Sequence, residues 1–341
     1  MGGNTILVWG AGAIGGTVGA HLARAGHDML FVDRAADHVG AMAEHGLAIT
    51  GPVTEFTVPA RAATPDQVKG RFETVLLCVK AQDTESAARA LLPHLADNGC
   101  VVSLQNGLNE RVIAEVVGPE RTVGAFVNFG ADYMSPGVIL FGGRGSVVVG
   151  EIDGRVSPRA ERLHTLLREF EERAVLTANI WGYLWSKLAY GAMLFATALT
   201  NASIADCLAS PRHRALFIAL PREVVRVAAA ARVMPEPFDG FDPSAFAPGA
   251  AEAQAIRSIE ALVAFNRRSA KSHSGIWRDL AVRKRRTEAE HQLGPIIVVA
   301  REHGLSAPIT ERLVALVRDI EDGRRAQDWA TLDLLMEMVA A

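Results

Sequence analysis

The feature that most constrains the fold is a glycine turn close to the amino terminus. A short apolar run, residues 5–9 (TILVW), leads into Gly10, Gly12 and Gly15, and small helix-compatible residues continue to Gly26. In this GxGxxG spacing the first glycine permits a tight turn, the second lets the backbone approach a pyrophosphate, and the third allows close helix packing. The pattern predicts a dinucleotide site in which helix-terminal N–H groups face the phosphates. The residues expected to form it are Gly10, Gly12, Ala13, Ile14 and Gly15.

A second apolar run completes a βαβ unit and places two polar residues near the cofactor. Residues 28–32 end at Asp33 and Arg34. Asp33 stands where a carboxylate would accept hydrogen bonds from a ribose 2′-OH, which indicates NAD(H), whereas Arg34 could bind a 2′-phosphate, which indicates NADP(H). Either residue could instead cap the next helix. Both cofactors therefore stay open.

Apolar runs alternate with helical stretches through the first half of the chain. Strands are predicted at residues 74–79, 100–104, 122–129, 147–150 and 174–177, and helices at 84–95 and 158–173. Residues 74–79 (TVLLCV) are continuously apolar, as expected of a central strand buried on both faces. The alternation predicts an α/β fold, a Rossmann-type doubly wound parallel sheet covered by helices.

The character of the sequence changes after residue 179, because no further strand-like run appears. Helices are predicted at residues 183–199, 213–232, 252–266, 287–303 and 308–321, with a loop rich in Pro, Gly, Asp and Phe at 235–249. A chain of 341 residues is long enough for two cores. We expect a dinucleotide-binding domain over residues 1–179 and an all-α domain over 180–341 that carries substrate and dimer contacts.

Composition excludes several classes of partner. The formal net charge is −3, so no overall field draws the chain to nucleic acid or to an anionic membrane, and a small molecule is the expected ligand. The longest strongly apolar stretch, residues 188–199, is shorter than the roughly 18–20 residues that span a bilayer. The three cysteines form no CxxC pair, and we expect no disulfide framework, no metal and a cytoplasmic location.

Three further motifs resemble those of ketopantoate reductases (2-dehydropantoate 2-reductases) in order and spacing. The first is VLLCVKAQDT, which contains Lys80, and the second is QNGL, which contains Gln105 and Asn106. The third pairs the helix WSKLAYGAMLFATALT, which contains Lys187, with a late RRTEAE, which contains Glu288. The resemblance covers nearly the whole chain, including the helical second half.

The resemblance implies a role for each of these residues. Lys187 would be the general acid that protonates a ketone oxygen as hydride arrives, and Glu288 would orient the lysine and the substrate. Lys80 and Asn106 would contact cofactor and substrate, and Gln105 would lie against the cofactor. It also implies NADP(H), whereas Asp33 leaves NAD(H) open, and it implies a homodimer.

Physical chemistry supports a lysine independently, because ketone reduction needs positive charge near the developing alkoxide and a proton donor. Lys187 follows Trp185 and precedes a strongly apolar run, although a surface lysine on an amphipathic helix is the alternative. Lys80 closes a strand at the end where α/β sheets bind ligands.

The sequence departs from the family pattern where the substrate is expected. Family members carry an asparagine one helical turn after the lysine and another about a turn later. Here the first position is Gly191 and the second falls near Phe195, which predicts a more apolar pocket. Either Ser274 or Gly275 falls at the substrate serine. His273, Ser274 and Trp277 line the pocket in one interpretation and form a packed surface loop in the other.

Three functions remain open. The first is NAD(P)H-dependent reduction of a small 2-oxo acid, above all ketopantoate on the route to pantothenate. The second is an NAD-dependent dehydrogenase of a different, more apolar hydroxy or keto compound. The third is a dinucleotide sensor without turnover, which would need neither Lys187 nor Glu288.

Overall fold

The structure is a computed structural model that describes residues 5–268 and 272–340. The chain divides into two compact units, residues 1–180 and 181–341. The first and last residues of the two predicted domains, 1 and 341, lie outside the described residues.

The first unit is built on an eight-stranded sheet. Its order, β12-β11-β8-β7-β6-β1-β2-β5, places the first strand inside the sheet, between β6 and β2. All neighbours are parallel except β8 and β11, so the predicted Rossmann-type sheet is confirmed with one antiparallel junction. The strands of this sheet are β1 (Ile6–Trp9), β2 (Met29–Val32), β5 (Arg61–Ala63), β6 (Phe72–Leu77), β7 (Leu95–Ser103), β8 (Thr122–Val127), β11 (Val147–Glu151) and β12 (Val175–Leu176).

A second, four-stranded sheet was not predicted. Its order is β4-β3-β10-β9, with β3 and β10 parallel and the outer pairs antiparallel. Its strands are β3 (Leu47–Thr50), β4 (Phe56–Val58), β9 (Gly130–Ser135) and β10 (Val138–Gly143). These strands are short, and none of the residues of β9 is buried, so the hydrophobic pattern of the strands is weak. Strands β9 and β10 lie between β8 and β11 in the sequence, although β8 and β11 are neighbours in the large sheet.

Five helices belong to the first unit. They are α1 (Ala13–Arg24), α2 (Ala36–His45), α3 (Thr84–Leu91), α4 (Asn109–Val117) and α5 (Pro158–Arg168). The first lies between the two sheets. A Cβ atom added at Gly16 would lie 2.2 Å from the side chain of Ile139 in β10, and one added at Gly19 would lie 2.5 Å from Phe31 in β2. The small residues of α1 therefore let both sheets approach its backbone.

The second unit is helical, as predicted. Its helices are α6 (Ile180–Thr197), α7 (Ile204–Ala209), α8 (Arg214–Ala230), α9 (Glu252–Arg268), α10 (Gly275–Ala281), α11 (Ala289–Glu302), α12 (Pro308–Glu321) and α13 (Trp329–Ala340). Of these, α7, α10 and α13 were not predicted. Two of them are only six and seven residues long, which is too short for a clear helical period.

A buried histidine ties the glycine turn to the second sheet. The His38 side chain is 1 % exposed, and its Nδ1 accepts a hydrogen bond of 2.9 Å from the Gly137 N–H. Because Nδ1 is the acceptor, the ring proton is on Nε2, which donates to the Ala11 carbonyl at 3.0 Å. A neutral imidazole therefore links two backbone segments that would otherwise leave a buried donor and acceptor unmatched.

We predict that His38→Ala lowers the free energy of unfolding of the first unit by roughly 1–3 kcal/mol, because the Ala11 carbonyl and the Gly137 N–H lose their partner. Urea unfolding would measure the change. His38→Gln is the matched control, since its amide offers both an acceptor and a donor, and it should lose less. Equal losses in the two variants would show that packing, and not these hydrogen bonds, is responsible.

Candidate active site

The glycine turn lies at the point where the order of strands reverses. β1 is flanked by β2 on one side and β6 on the other, and ligands of such sheets bind at the carboxyl ends of these strands. Gly10 follows β1 with φ +99°, and its N–H donates to the Val32 carbonyl at 2.8 Å. A Cβ atom at Gly15 would lie 2.2 Å from the Gly10 carbonyl oxygen. The first and third glycines are therefore required by the backbone itself.

The middle glycine differs, because it faces open space. A Cβ atom added at Gly12 would meet no atom within 4 Å. No side chain caps the amino terminus of α1, so the N–H groups of Ala13, Ile14 and Gly15 keep their direction toward that space. Backbone donors at a helix terminus with room beside them suit a pyrophosphate. These residues fit a dinucleotide.

Asp33 and Arg34 have separate partners. One carboxylate oxygen of Asp33, Oδ1, accepts the Ala35 N–H at 3.0 Å, while the other accepts no hydrogen bond in the described structure. The Arg34 guanidinium donates to Asp83 at 3.2 Å, and its side chain is 78 % exposed. Asp33 thus turns the chain after β2 and still presents one oxygen, and Arg34 is paired with a carboxylate.

A chain of buried hydrogen bonds connects the segments that follow β6 and β7. Gln105 donates through Nε2 to the Val79 carbonyl and to Thr84 Oγ1, both at 2.8 Å. Thr84 donates to Asn109, which donates to the Asn106 carbonyl at 2.7 Å. The Gln105 side chain is 4 % exposed. The structure gives it a positioning role, and its contact with the cofactor stays a prediction.

The same network places Lys80 and Asn106 at neighbouring strand ends. Lys80 is exposed and Asn106 is half-buried, and each follows a parallel strand of the central sheet. In the helix that follows Asn106, burial raises the pKa of Glu110 to about 8, so this carboxyl is mostly protonated at neutral pH. Thr84, Asn109 and Glu110 were not among the predicted site residues, because single polar residues in helices carry no distinctive signal.

In the second unit, the predicted acid Lys187 is half-buried on α6. Its neighbours in the chain, Trp185 and Leu188, are 2 % and 3 % exposed. Burial lowers the pKa of Lys187 to about 8, and the negative charges of Asp239 and then Glu288 act in the opposite direction. The structure therefore brings the two predicted catalytic residues into one electrostatic group and adds a third, Asp239.

Glu288 is held in place by the residue before it. Thr287 donates from its N–H and its hydroxyl to Glu321 at the end of α12, both at 2.7 Å. Arg286 contacts the same end through Asp322 at 2.8 Å. Glu288 itself precedes α11, and its carbonyl accepts the Gln292 N–H at 2.8 Å. The segment is thus fixed on both sides of the carboxylate.

The predicted substrate residues on α6 have different surroundings. A Cβ atom at Gly191 would meet nothing within 4 Å, so there is space one helical turn after Lys187. Phe195 is 1 % exposed and packs in the interior of the helical unit. Its ring does not face open space, and a role in substrate contact stays a prediction without support from this placement.

The segment around Ser274 is occupied by local hydrogen bonds. Ser274 is 4 % exposed, and its hydroxyl caps α10 by accepting the Trp277 N–H at 3.1 Å, directly before Gly275. The Trp277 indole donates to Asn201, and its ring packs against His273 with centroids 4.1 Å apart. These contacts favour the packed-loop interpretation of the segment. Substrate contact by Ser274 or Gly275 stays a prediction.

Within residues 5–268 and 272–340, every helix is either too short or too polar to span a lipid bilayer. Across the same residues, no group of three or more His, Cys, Asp or Glu side chains is arranged to hold a metal ion.

Family models match both units of the chain. The model described as "Ketopantoate reductase PanE/ApbA" matches residues 6–154, and its carboxy-terminal counterpart matches residues 179–321. The 2-dehydropantoate 2-reductase of Archaeoglobus fulgidus is 30 % identical over 320 residues, which cover 93 % of this chain and 98 % of the relative. That of Halobacterium salinarum is 30 % identical over 324 residues, which cover 92 % and 97 %.

Solved structures share the fold over the same length. A PanE/ApbA family ketopantoate reductase from Ralstonia eutropha JMP134 is 28 % identical, with a TM-score of 0.78 over 94 % of this chain and all of its own. A D-mandelate dehydrogenase solved with NADH and anilino(oxo)acetate is similar in fold, with a TM-score of 0.81, 22 % identity, and coverage of 94 % and 98 %. From these matches, the chain belongs to the ketopantoate reductase family and is an NAD(P)-dependent oxidoreductase.

Proposed function

We propose that the chain reduces 2-dehydropantoate (ketopantoate) to pantoate, with Lys187 as the general acid. The observation that carries the proposal is the half-buried Lys187. Burial lowers its pKa to about 8, and the negative charges of two carboxylates stabilise its positive charge. The relatives that match nearly the whole chain bear the name of this reaction.

The chemistry follows from the lysine. The bound dinucleotide supplies the hydride for the carbonyl carbon. As negative charge develops on the carbonyl oxygen, the Lys187 ammonium stabilises it and transfers a proton from Nζ, which leaves a neutral amine that water reprotonates. A pKa of about 8 suits both steps, because the group is still charged at neutral pH and releases its proton more readily than an ordinary lysine.

The other residues of the proposal bind and orient. Glu288 fixes the Lys187 ammonium by charge, supported by the Thr287–Glu321 hydrogen bonds. Asn106 and Lys80, at the ends of adjacent strands, supply an amide and a cation for cofactor and substrate. Gly10, Gly12, Ala13, Ile14 and Gly15 receive the pyrophosphate.

For the cofactor, we propose NADH in preference to NADPH. Asp33 keeps one carboxylate oxygen for a ribose 2′-OH, and Arg34 is already paired with Asp83 at 3.2 Å. Two carboxylates against one guanidinium disfavour a doubly charged 2′-phosphate and accept a hydroxyl.

A second substrate is favoured by one observation. Gly191 leaves open space where a family asparagine would supply a polar anchor for the substrate. A pocket without that amide discriminates less for a hydroxylated substrate, so a 2-oxo acid with a bulkier or more apolar side chain is the second candidate.

The test of the function is a set of initial rates with ketopantoate and a panel of 2-oxo acids, each with NADH and NADPH. We expect ketopantoate to give the highest kcat/KM. Failure on ketopantoate together with turnover of an apolar 2-oxo acid would replace the first substrate with the second and keep the reaction class.

We predict that Lys187→Ala lowers kcat on the order of 10²-fold or more, because the proton donor and the positive charge are both lost. Cofactor affinity, measured by titration of the dinucleotide fluorescence, should stay near wild type. Lys69→Ala, at an exposed lysine of the first unit, is the matched control and should change neither value. An unchanged kcat in the Lys187 variant removes the lysine from the mechanism.

We predict that Asp33→Ala raises the ratio of kcat/KM for NADPH to that for NADH, because a negative charge beside the ribose 2′ position is removed. Asp83→Ala should raise the same ratio by releasing Arg34. Asp66→Ala, which removes an acidic residue of a surface turn, serves as the control for net charge. A ratio that is the same in all four proteins would refute this role of Asp33.

A further inference from the structure

The predicted loop at residues 235–249, which is rich in Pro, Gly, Asp and Phe, contains a tight turn, Phe238–Phe241, which we name the FDGF turn. The Phe238 N–H donates to the Phe241 carbonyl at 3.0 Å, and the Phe241 N–H donates back to the Phe238 carbonyl at 2.7 Å. Between them, Asp239 has φ +42° and Gly240 has φ +83°. Two central residues with positive φ define a type I′ turn, for which Asp-Gly is a preferred sequence.

Aromatic packing holds the FDGF turn against α6. Phe238 and Phe241 are 6 % and 2 % exposed. Their rings contact the ring of Tyr190 in α6, with centroids 6.2 and 5.6 Å away, and Phe246 stacks on Phe241 at 5.7 Å. Buried aromatic contacts therefore fix the position of the turn on α6.

A second attachment fixes the direction of the loop. The Glu236 N–H donates to the carbonyl of Gly182, in the first turn of α6, at 3.1 Å. The loop is thus bound to the helix at Gly182 and again at Tyr190, and Lys187 lies between these two points. On the loop, Asp239 lies between Glu236 and Phe241, the residues that make these two attachments, and it is exposed.

The charges agree with this placement. Two carboxylates on two separate segments act on Lys187, and the effect of Asp239 on the lysine is larger than that of Glu288. On α6 itself, the titratable neighbours Tyr183 and Tyr190 have pKa values raised by burial, so both hydroxyls stay neutral near pH 8. Asp239 is therefore the main negative charge that keeps the lysine protonated.

We propose that Asp239 is a positioning residue of the active site, a carboxylate delivered by the FDGF turn that maintains and orients the ammonium charge of Lys187 together with Glu288. The inference rests on the proposed role of Lys187 as general acid. A half-buried ammonium group needs opposite charge nearby. The short aspartate side chain on a tight turn holds such a charge in a fixed position.

The variants separate charge from backbone shape. Asp239→Asn removes the charge and keeps a residue that tolerates positive φ, and Asp239→Gly removes the side chain and keeps the turn. Glu236→Gln is the matched control, because it removes a carboxylate from the same loop whose charge acts on Tyr183. Thermal unfolding should be similar for all of them.

The first measurement does not depend on catalysis. The chain has five lysines, Lys69, Lys80, Lys187, Lys271 and Lys284, so NMR of lysine labelled with ¹³C at Cε follows each titration, with Lys187 assigned from its loss in Lys187→Arg. In Asp239→Asn and Asp239→Gly we expect the pKa of Lys187 to fall by about 1 unit, because an opposing charge is removed. It should not move in Glu236→Gln. An unmoved pKa in both Asp239 variants overturns the inference.

The second measurement is the rate of ketone reduction against pH. Because the acid must be protonated, the alkaline limb should shift to lower pH in Asp239→Asn, with a loss of about fivefold at pH 8 and little loss at pH 6. A loss of equal size at every pH indicates a structural role and contradicts the inference. A shifted lysine pKa with an unshifted rate profile would keep Asp239 as the partner of Lys187 and reject the lysine as the acid.

Discussion

A half-buried lysine with two carboxylates acting on it is the interaction on which the proposed site in the helical unit depends. An ammonium group loses hydration in such a position, and its charged form survives only when opposite charge is held close by. Two segments far apart in the chain meet this need: the FDGF turn, fixed by aromatic packing on Tyr190, and the Glu288 segment, fixed by the Thr287–Glu321 hydrogen bonds. Each carboxylate lies on a segment that is anchored by contacts of neighbouring residues.

The Rossmann unit is suited to the opposite charge, because it offers backbone N–H groups to an anion. Its glycine turn offers backbone N–H groups and open space at Gly12, and no side chain caps the helix terminus by a hydrogen bond. Anion binding there depends on the direction of dipoles, which the close contacts at Gly10 and Gly15 and the His38 imidazole keep rigid. One unit thus stabilises a cation with fixed carboxylates, and the other is shaped to receive an anion with fixed amides.

The parts of this arrangement that the sequence predicts are those with a local signal. The GxGxxG turn and the central strands follow from spacing and hydrophobicity, and Lys187 and Glu288 follow from the family resemblance. The sequence does not predict the second sheet, because its short strands gain their apolar contacts from α1 and from each other. The role of His38 is not predicted either, because both of its hydrogen-bond partners are backbone groups remote in sequence. The composition of residues 235–249 predicts a loop that contains Asp239, but the proximity of Asp239 to Lys187 depends on packing that no local pattern records.

The backbone of the FDGF turn also restricts how this enzyme can change. Positive φ at residue 239 admits aspartate, asparagine and glycine with little strain and penalises other side chains. In the genetic code, both asparagine and glycine are one base away from aspartate. Relatives could therefore exchange the charge beside the lysine in a single mutational step, with the fold intact. With Lys187 as the proposed proton donor, a change at this position would alter the acidity of the donor and leave the backbone of the turn unchanged.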